Sequence, residues 1–265
     1  MAPSALAIAA HPDDIELAMA GTLLLLGRAG YDLHYLTVAN GSCGTATLDR
    51  DAIVAIRAEE ARRAAAMLGA TFHGPLVDDI QVYYTPALVA RIGAVVRRTR
   101  PQVLLVPSPV DYMEDHTSTS RLAVTAAFCR NMRNFITDPP TAPIAGPVAV
   151  YHALPWGLKD PLGRPVHADL YVDIQDVLEA KRSALACHRS QKEWLDASQG
   201  FDSYLKAMEE MAAAVGRMAG AVRFAEGWQR HNPIGLGPEG FDPLSEALTG
   251  RVVPAQEGRN PCPDR

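Results

Sequence analysis

The sequence lacks the features of several protein classes. Its 265 residues include four cysteines, and no two of them have the C-x-x-C spacing of a zinc knuckle or a redox motif. The formal net charge is −5, so the composition does not indicate a nucleic-acid surface. The apolar run at residues 17–26 is too short to span a bilayer, and the N-terminus has no basic segment of a signal peptide. We therefore expect a cytoplasmic protein with reduced cysteines and with neither a membrane nor a nucleic acid as partner.

Strand and helix patterns alternate through the first half of the chain. We predict strands at residues 6–9, 33–39, 72–77, 103–106, 148–153 and 170–174. We predict helices at residues 15–29, 57–68, 86–98, 118–131, 177–187 and 201–221. This order is typical of an α/β fold with a doubly wound, mostly parallel sheet flanked by helices. We expect a single domain over residues 1–265, with a helical and irregular C-terminal extension from about residue 200.

A polar cluster directly follows the first predicted strand. His11, Asp13, Asp14 and Glu16 lie within six residues, and ligands bind at the carboxyl ends of strands in an open parallel sheet. Imidazole and carboxylate groups together suit a divalent metal such as zinc. The alternative is a polar loop in which Asp13 or Asp14 caps the next helix. That alternative leaves His11 and the second carboxylate unexplained.

A second polar cluster, Asp-Tyr-Met-Glu-Asp-His at residues 111–116, follows the predicted strand 103–106. Both strands should end at the same edge of the sheet, so the two clusters are expected to be neighbours in space. His11, Asp14 and His116 would then form a three-ligand site with an open position. Catalytic zinc sites have this form, with water in the fourth place. Taken alone, His116 would be interpreted as a helix residue without a ligand role.

Two further carboxylates have predicted roles beside these ligands. Asp13 cannot easily share the ligand geometry of its neighbour Asp14, so it remains free to act as a general base for water. Asp115 precedes His116 and can orient an imidazole from behind the metal.

The two clusters resemble the LmbE-like, or PIG-L, family of zinc-dependent N-deacetylases. That family carries A-H-P-D-D-E after its first strand, where this chain has A-H-P-D-D-I-E at residues 10–16. It carries D-x-H-x-D-H after a later strand, where this chain has D-Y-M-E-D-H. The R-x-x-E helix at residues 57–60, the following L-G at 68–69 and F-A-E at 224–226 are similar to further family segments. The resemblance covers most of the chain.

The resemblance implies a Rossmann-like fold and Zn²⁺ bound by the three predicted ligands. It implies that Asp13 is the base that activates water. Arg57 and Asp78 become candidates for holding a sugar or another polar substrate. The alternatives are a surface helix charge for Arg57 and a turn residue for Asp78.

One residue departs from the family pattern. The family's second motif has a histidine, thought to polarise the amide carbonyl or protonate the leaving amine, where this chain has Met113. A methionine side chain can do neither. His152, at the end of a predicted strand, is our first choice for the replacement donor. The other available donors are His167, His231, Tyr112 and Arg57, whereas His188, near a helix end, is expected to be structural.

The sequence thus predicts a metal-dependent amide hydrolase, an N-deacetylase or deacylase, acting on a small polar and amino-sugar-like substrate. Two His and one carboxylate also describe the non-haem Fe²⁺ oxygenase triad, so a metalloenzyme of other chemistry is the second hypothesis. A metal-binding relative without catalytic activity is the third, because of Met113; the retained Asp13 argues against it. The oligomeric state is open, and a homo-oligomer is compatible with the sequence.

Overall fold

A central sheet organises the chain in the computed structural model, which describes residues 2–192 and 204–255. Its strands are β1 (Ser4–Ala9), β2 (Asp32–Thr37), β3 (Ala70–Phe72), β4 (Val103–Val106), β5 (Ala149–Ala153), β6 (Leu170–Asp173), β7 (Ala225–Arg230) and β8 (Val252–Pro254). The main helices of the described residues are α1 (Asp14–Ala18), α2 (Ala20–Arg28), α3 (Arg50–Met67), α4 (Pro86–Thr99), α5 (Glu114–Phe128), α6 (Leu178–Leu185), α7 (Tyr204–Ala219) and α8 (Pro243–Ala247). Within the two described ranges, no helix combines the length and apolarity that crossing a membrane requires.

The strand order is β3-β2-β1-β4-β5-β7-β6-β8. The first five strands in this order pair in parallel, whereas β7 pairs antiparallel with β5 and β6, and β8 pairs antiparallel with β6. The predicted doubly wound, mostly parallel α/β fold is therefore confirmed. The chain leaves β1 toward β2 and later returns to its other side with β4. The gap between the ends of β1 and β4 is thus the switch point of the sheet, where such folds bind ligands.

Every residue of β1 is buried, and its two faces enter different parts of the core. Leu6 and Ile8 pack in a cluster with Leu104 of β4. The alanines of β1 face the opposite cluster, which includes Ile15 of α1 and Leu23 of α2. A strand buried on both faces is typical of a parallel sheet covered by helices. Because both faces of β1 are covered, polar side chains can be accommodated at its carboxyl end.

Helical periodicity between residues 15 and 29 predicts one helix, but the structure has two, α1 and α2, separated at Met19. The start of α2 is held from outside, because Glu226 of β7 accepts hydrogen bonds from the backbone N–H groups of Gly21 and Thr22 at 2.8 and 2.7 Å. Lys181 of α6 pairs with the same carboxylate at 2.5 Å. The carboxylate that accepts these bonds lies more than 200 positions away, so the periodicity of residues 15–29 does not reveal it.

The C-terminal part of the chain contributes more than the predicted helical and irregular extension. Strand β7 is inserted between β5 and β6, and β8 forms the edge beyond β6. The prediction contains neither strand. For β7, the reason is that its sequence, A-E-G-W-Q-R, does not alternate cleanly between apolar and polar residues. The predicted helix over 201–221 is observed as α7, and its first three residues lie outside the described ranges.

Candidate active site

The three predicted ligands converge at the switch point. One ligand atom from each of His11, Asp14 and His116 lies within 4.8 Å of the others. Asp14 Oδ2 is 3.5 Å from His11 Nδ1 and 3.3 Å from His116 Nε2. His11 and Asp14 come from the turn after β1, and His116 comes from the first turn of α5 after β4. The carboxyl ends of two neighbouring strands thus bring together the imidazole and carboxylate donors that zinc prefers.

The hydrogen bonding around the two imidazoles fits a divalent metal. The carboxylate of Asp115 lies 3.0 Å from His11 Nε2, and the carboxylate of Asp111 lies 3.0 Å from His116 Nδ1. Each ring therefore has one nitrogen held by a carboxylate and the other directed toward Asp14. His116 Nε2 is buried and has no hydrogen-bond partner. Metal-binding histidines are commonly oriented in this way by carboxylates on their second nitrogen.

The charges of the cluster also favour a cation. Burial lowers the pKa of His11, but hydrogen bonds to Asp115 and Asp14 outweigh burial and raise it to about 9. Burial likewise opposes protonation of His116, yet the charge of Asp14 and the bond to Asp111 hold its pKa well above the usual value. For Asp14, the two imidazoles outweigh burial and keep its pKa well below the usual range. The carboxylates at this site thus stabilise positive charge, which a bound metal can supply in place of protons.

Asp13 lies beside the ligands but faces a different set of partners. Its φ of 105° falls in the left-handed region, which strains a residue other than glycine. Asp13 accepts a hydrogen bond from the hydroxyl of Tyr204 on α7. Its Oδ1 is 3.6 Å from the guanidinium of Arg57. Burial raises the pKa of Asp13 to about 6, although the charge of Arg57 opposes this shift.

Arg57 is 2% exposed and lies under the loop that follows β2. Its guanidinium donates to the carbonyl oxygen of Pro12 at 2.5 Å. A Cβ added to Gly41 or Gly44 would lie 2.4 or 2.3 Å from the Arg57 side chain, so both glycines allow the close approach. This placement favours a role in holding Asp13 over direct contact between Arg57 and a substrate.

Asp78 is engaged by groups of the chain itself. It accepts hydrogen bonds from Asn40 Nδ2 at 2.6 Å and from Arg50 Nε at 2.8 Å, and these bonds join the loop after β2 to the start of α3. Two residues later, Ile80 has a φ of 65°, and its backbone N–H donates to Asp115 at 2.8 Å. The segment around Asp78 therefore supports the carboxylate that holds His11. The predicted substrate contact of Asp78 stays a prediction.

His152 does not point to the cleft beside the ligands. It is 4% exposed, its Nδ1 lies 3.0 Å from the carbonyl oxygen of Pro107, and its Nε2 lies 2.9 Å from His231 Nδ1. Burial lowers the pKa of His152 to about 4, so the ring is neutral. With both nitrogens engaged, His152 has no N–H for a substrate, and the arrangement favours a structural role. His167 is exposed in the loop before β6.

Of the donors considered at the sequence level, Tyr112 lies beside the ligands. Its ring packs edge-on against His116, with 5.9 Å between centroids. Tyr112 is 57% exposed, yet partial desolvation of its phenol and the nearby carboxylates, Asp14 foremost, raise its pKa, so the hydroxyl stays protonated. His188, expected to be structural, is buried with Nε2 3.4 Å from Glu16 Oε2.

A cleft opens beside the three predicted ligands. The described residues that line it are Asp14, Leu17, Ala18, Met19, Pro107, Ser108, Asp111, His116, Ala153, Leu154, Pro155, Trp156 and Met211. Most of these side chains are apolar, and none of them is Lys or Arg. This is the site at which a substrate can reach both Asp14 and His116.

Sequence reasoning missed two residues of the site. Asp111, which holds His116, is the first residue of the second motif, and its carboxylate before a helix start was an available signal. Tyr204, which donates to Asp13, lies on α7 and is separated from Asp13 by 191 positions. A tyrosine on a helix with no neighbouring motif gives no such signal.

The fold and the cluster define an α/β protein with a candidate metal centre at the switch point of a Rossmann-like sheet. The family model for PIG-L, described as GlcNAc-PI de-N-acetylase, matches residues 6–127. Residues 6–127 thus match the PIG-L, or LmbE-like, family, which the two motifs resemble.

Similar proteins include enzymes of two kinds. A diacetylchitobiose deacetylase of Thermococcus kodakarensis is 29% identical over 228 residues, which are 84% of this chain and 80% of the relative. A 4-oxalmesaconate hydratase of Pseudomonas putida is 27% identical over 197 residues, which are 71% of this chain and 74% of the relative.

Solved structures show the same pair of activities on the same fold. The 4-carboxy-2-hydroxymuconate hydratase of Pseudomonas putida has a TM-score of 0.73 and 24% identity, covering 87% of this chain and 97% of its own. The N,N'-diacetylchitobiose deacetylase of Pyrococcus horikoshii has a TM-score of 0.73 and 23% identity, covering 90% and 88%. At these identities the likeness establishes the fold, and the chemistry has to be argued from the site.

Proposed function

We propose that this chain is a metal-dependent hydrolase that removes an acyl group from the amide nitrogen of a small molecule. The observation that carries the proposal is the position of Asp13. It is a buried carboxylate beside three convergent ligands, and it is held by Arg57 and Tyr204 rather than by the ligands. Amide hydrolysis by water requires a metal centre and a general base beside it, and this site offers both.

Zn²⁺ is the metal we propose, with Fe²⁺ as the alternative, and His11, Asp14 and His116 are its proposed ligands. A zinc ion in such a site supplies a Lewis acid and lowers the pKa of a water molecule beside it. Asp13 accepts a proton from the attacking water while the new C–O bond forms at the acyl carbon. The C–N bond then breaks, and Asp13 passes the proton to the amine nitrogen. The products are a carboxylate and an amine.

Tyr112 is the donor that we propose for the carbonyl oxygen, in place of the missing family histidine. Its hydroxyl is protonated, and its ring packs on the ligand His116. Hydrogen-bond donors directed at an oxygen on which negative charge develops stabilise the transition state. The side chain of Met113, the residue before α5, has no hydrogen to donate.

Hydration of a double bond is the competing function, because two of the similar proteins are named as hydratases. The substrates in those two names carry several carboxylates, which need cationic partners in a binding site. Of the described residues that line the cleft, none is Lys or Arg, and Asp14 and Asp111 add negative charge. This lining favours a substrate without several negative charges and therefore favours amide hydrolysis.

The experiment that tests the function compares the two reactions on the zinc-loaded protein. Release of acetate from N,N'-diacetylchitobiose and N-acetylglucosamine is measured beside hydration of 4-carboxy-2-hydroxymuconate. We expect release of acetate that stops when a chelator removes the metal and returns when zinc is restored. Hydration without any release of acetate would replace the proposed function by the competing one.

Met113→His is expected to raise the rate of hydrolysis of N-acetylglucosamine. Loss of one oxyanion donor typically costs about 10²–10³ in rate, and restoring the imidazole should recover a part of that loss, at least ~10-fold. Steady-state kinetics at matched zinc content measures the change, with Met132→His as the control at an exposed methionine. The expected gain means that Tyr112 replaces the family histidine only in part. A wild type that is already fast and a variant that is no faster would mean that Tyr112 replaces it in full and that position 113 does not limit the rate.

Tyr204→Phe is expected to lower kcat about 10-fold with little change in KM. The variant removes one hydrogen bond to the carboxylate of Asp13, and a hydrogen bond to a charged group contributes about 1.5–3 kcal/mol. Tyr204 acts through Asp13, so the fall should appear in the chemical step rather than in substrate binding. Tyr31→Phe is the matched control, because Tyr31 directly precedes β2 and its hydroxyl donates to the carbonyl oxygen of Pro243 instead of to Asp13. Unchanged kcat in Tyr204→Phe would show that Asp13 does not depend on this hydroxyl.

A further inference from the structure

One side of the cleft is an apolar wall. Leu154, Pro155 and Trp156 follow β5 and lie next to Leu17 of α1 and Met211 of α7. These five side chains present no charge and, apart from the indole N–H of Trp156, no polar atom. The same cleft reaches Asp14 and His116, so a substrate held at the ligands contacts this wall directly.

Charged partners for a polar substrate are scarce on this side. Lys181 lines the adjoining cavity, but it is buried and tied to Glu226 at 2.5 Å. The wall therefore favours an apolar group over a sugar ring or a carboxylate.

The opposite side of the ligands is polar. The loop after β2 and the segment around Asp78 lie across β1 from β4 and β5. Arg50, Asn40 and Asp78 form a hydrogen-bonded group there, with the Arg50 side chain half exposed. An amide carbonyl at the ligands has two substituents, and the site offers one apolar side and one polar side to receive them.

We propose that the acyl group removed by this chain is an apolar chain longer than acetyl, which lies against Trp156 and Met211. The polar amine part of the substrate then faces Arg50 and Asn40. This proposal rests on the proposed function and adds the substrate class to it. Five apolar side chains line this side of the cleft, which is more surface than a single methyl group can contact.

The test uses a series of glucosamines that differ only in the acyl group: N-acetyl, N-butanoyl, N-hexanoyl and N-octanoyl. Each buried methylene is expected to raise kcat/KM about 4-fold, so the hexanoyl compound should exceed the acetyl compound by at least ~10²-fold. Titration calorimetry with acetate and hexanoate gives a second measurement without turnover. Hexanoate is expected to bind more tightly by a similar factor per methylene.

Variants of the wall identify where the chain lies. Trp156→Ala and Met211→Ala should each lower kcat/KM for the hexanoyl compound more than for the acetyl compound. Ile136→Ala is the control, because Ile136 is an exposed apolar residue in the loop beyond the far end of α5. The wild-type series needs no variant, so the proposal stays testable even where a wall variant folds poorly.

The outcomes separate this proposal from the proposed function. If no acyl compound is hydrolysed by the zinc-loaded protein, the proposed function fails. If the acetyl compound is hydrolysed as fast as or faster than the longer ones and hexanoate binds no better than acetate, the acyl-chain proposal fails while the hydrolase function stands. A rise with chain length that Trp156→Ala and Met211→Ala leave unchanged would overturn the placement of the chain.

Discussion

His116→Ala is expected to weaken binding of the metal by more than ~10²-fold and to abolish turnover. The imidazole is one of the three proposed ligands, and its Nε2 atom is buried without a hydrogen-bond partner. Loss of a partner behind a ligand already weakens metal binding about 10–100-fold, and loss of the ligand itself must cost more. Equilibrium dialysis against zinc, followed by elemental analysis, measures the change in affinity.

Two further variants make this measurement specific. His167→Ala removes an exposed histidine that is not one of the three converging residues and should leave the zinc content unchanged. Asp111→Ala keeps all three ligands but removes the carboxylate 3.0 Å from His116 Nδ1, so it should fall between the wild type and His116→Ala. Full zinc content in His116→Ala would mean that His116 is not a ligand, and the proposed centre would have to be rebuilt around other residues.

The motifs predict the cluster well because both follow buried strands directly. His11 and Asp14 lie three residues apart after β1, so their proximity is a local property of one turn. Their approach to His116 depends on the pairing of β1 with β4, which the strand order of a doubly wound sheet supplies. The donor types and the fold class were enough to place these three residues together.

The partners behind the ligands could not be assigned in the same way. Asp115 was expected to orient an imidazole, and in the structure that imidazole is His11, while Asp111 holds His116. A helix rotates neighbouring residues by about 100°, so adjacency in sequence does not decide which ring a carboxylate reaches. Tyr204 is placed against Asp13 by the packing of α7 against the sheet, a tertiary contact without a motif.

His152 and Arg57 are residues for which the sequence suggested a substrate contact that the structure does not favour. A histidine at a strand end and an arginine on a family helix have the chemistry of substrate contacts. The structure buries both, with His152 between Pro107 and His231 and with Arg57 against Pro12 and Asp13. Burial depends on the loops that cover a side chain, and a single sequence does not determine how those loops pack.

Asp13→Asn is expected to keep the metal and to lose ~10²–10⁴-fold in kcat, the range of a positioned general base. The amide is close in shape to the carboxylate but cannot accept the proton of the attacking water. Asparagine is also the substitution best suited to the backbone, because Asn and Asp tolerate the positive φ that residue 13 adopts. A fall in rate is therefore attributable to the lost base rather than to a displaced turn.

The control and the stability measurement decide how this result is interpreted. Asp51→Asn makes the same change at an exposed carboxylate in the first turn of α3 and should leave kcat unchanged. Asp13→Asn leaves the guanidinium of Arg57 without its charged partner, and removing one member of a buried pair can cost about 3–5 kcal/mol. Urea unfolding and zinc content are therefore measured on the same preparation, and kcat is taken per folded, zinc-loaded molecule. Wild-type turnover per folded, zinc-loaded molecule would remove Asp13 from the mechanism and leave it with a structural role through its contacts with Arg57 and Tyr204.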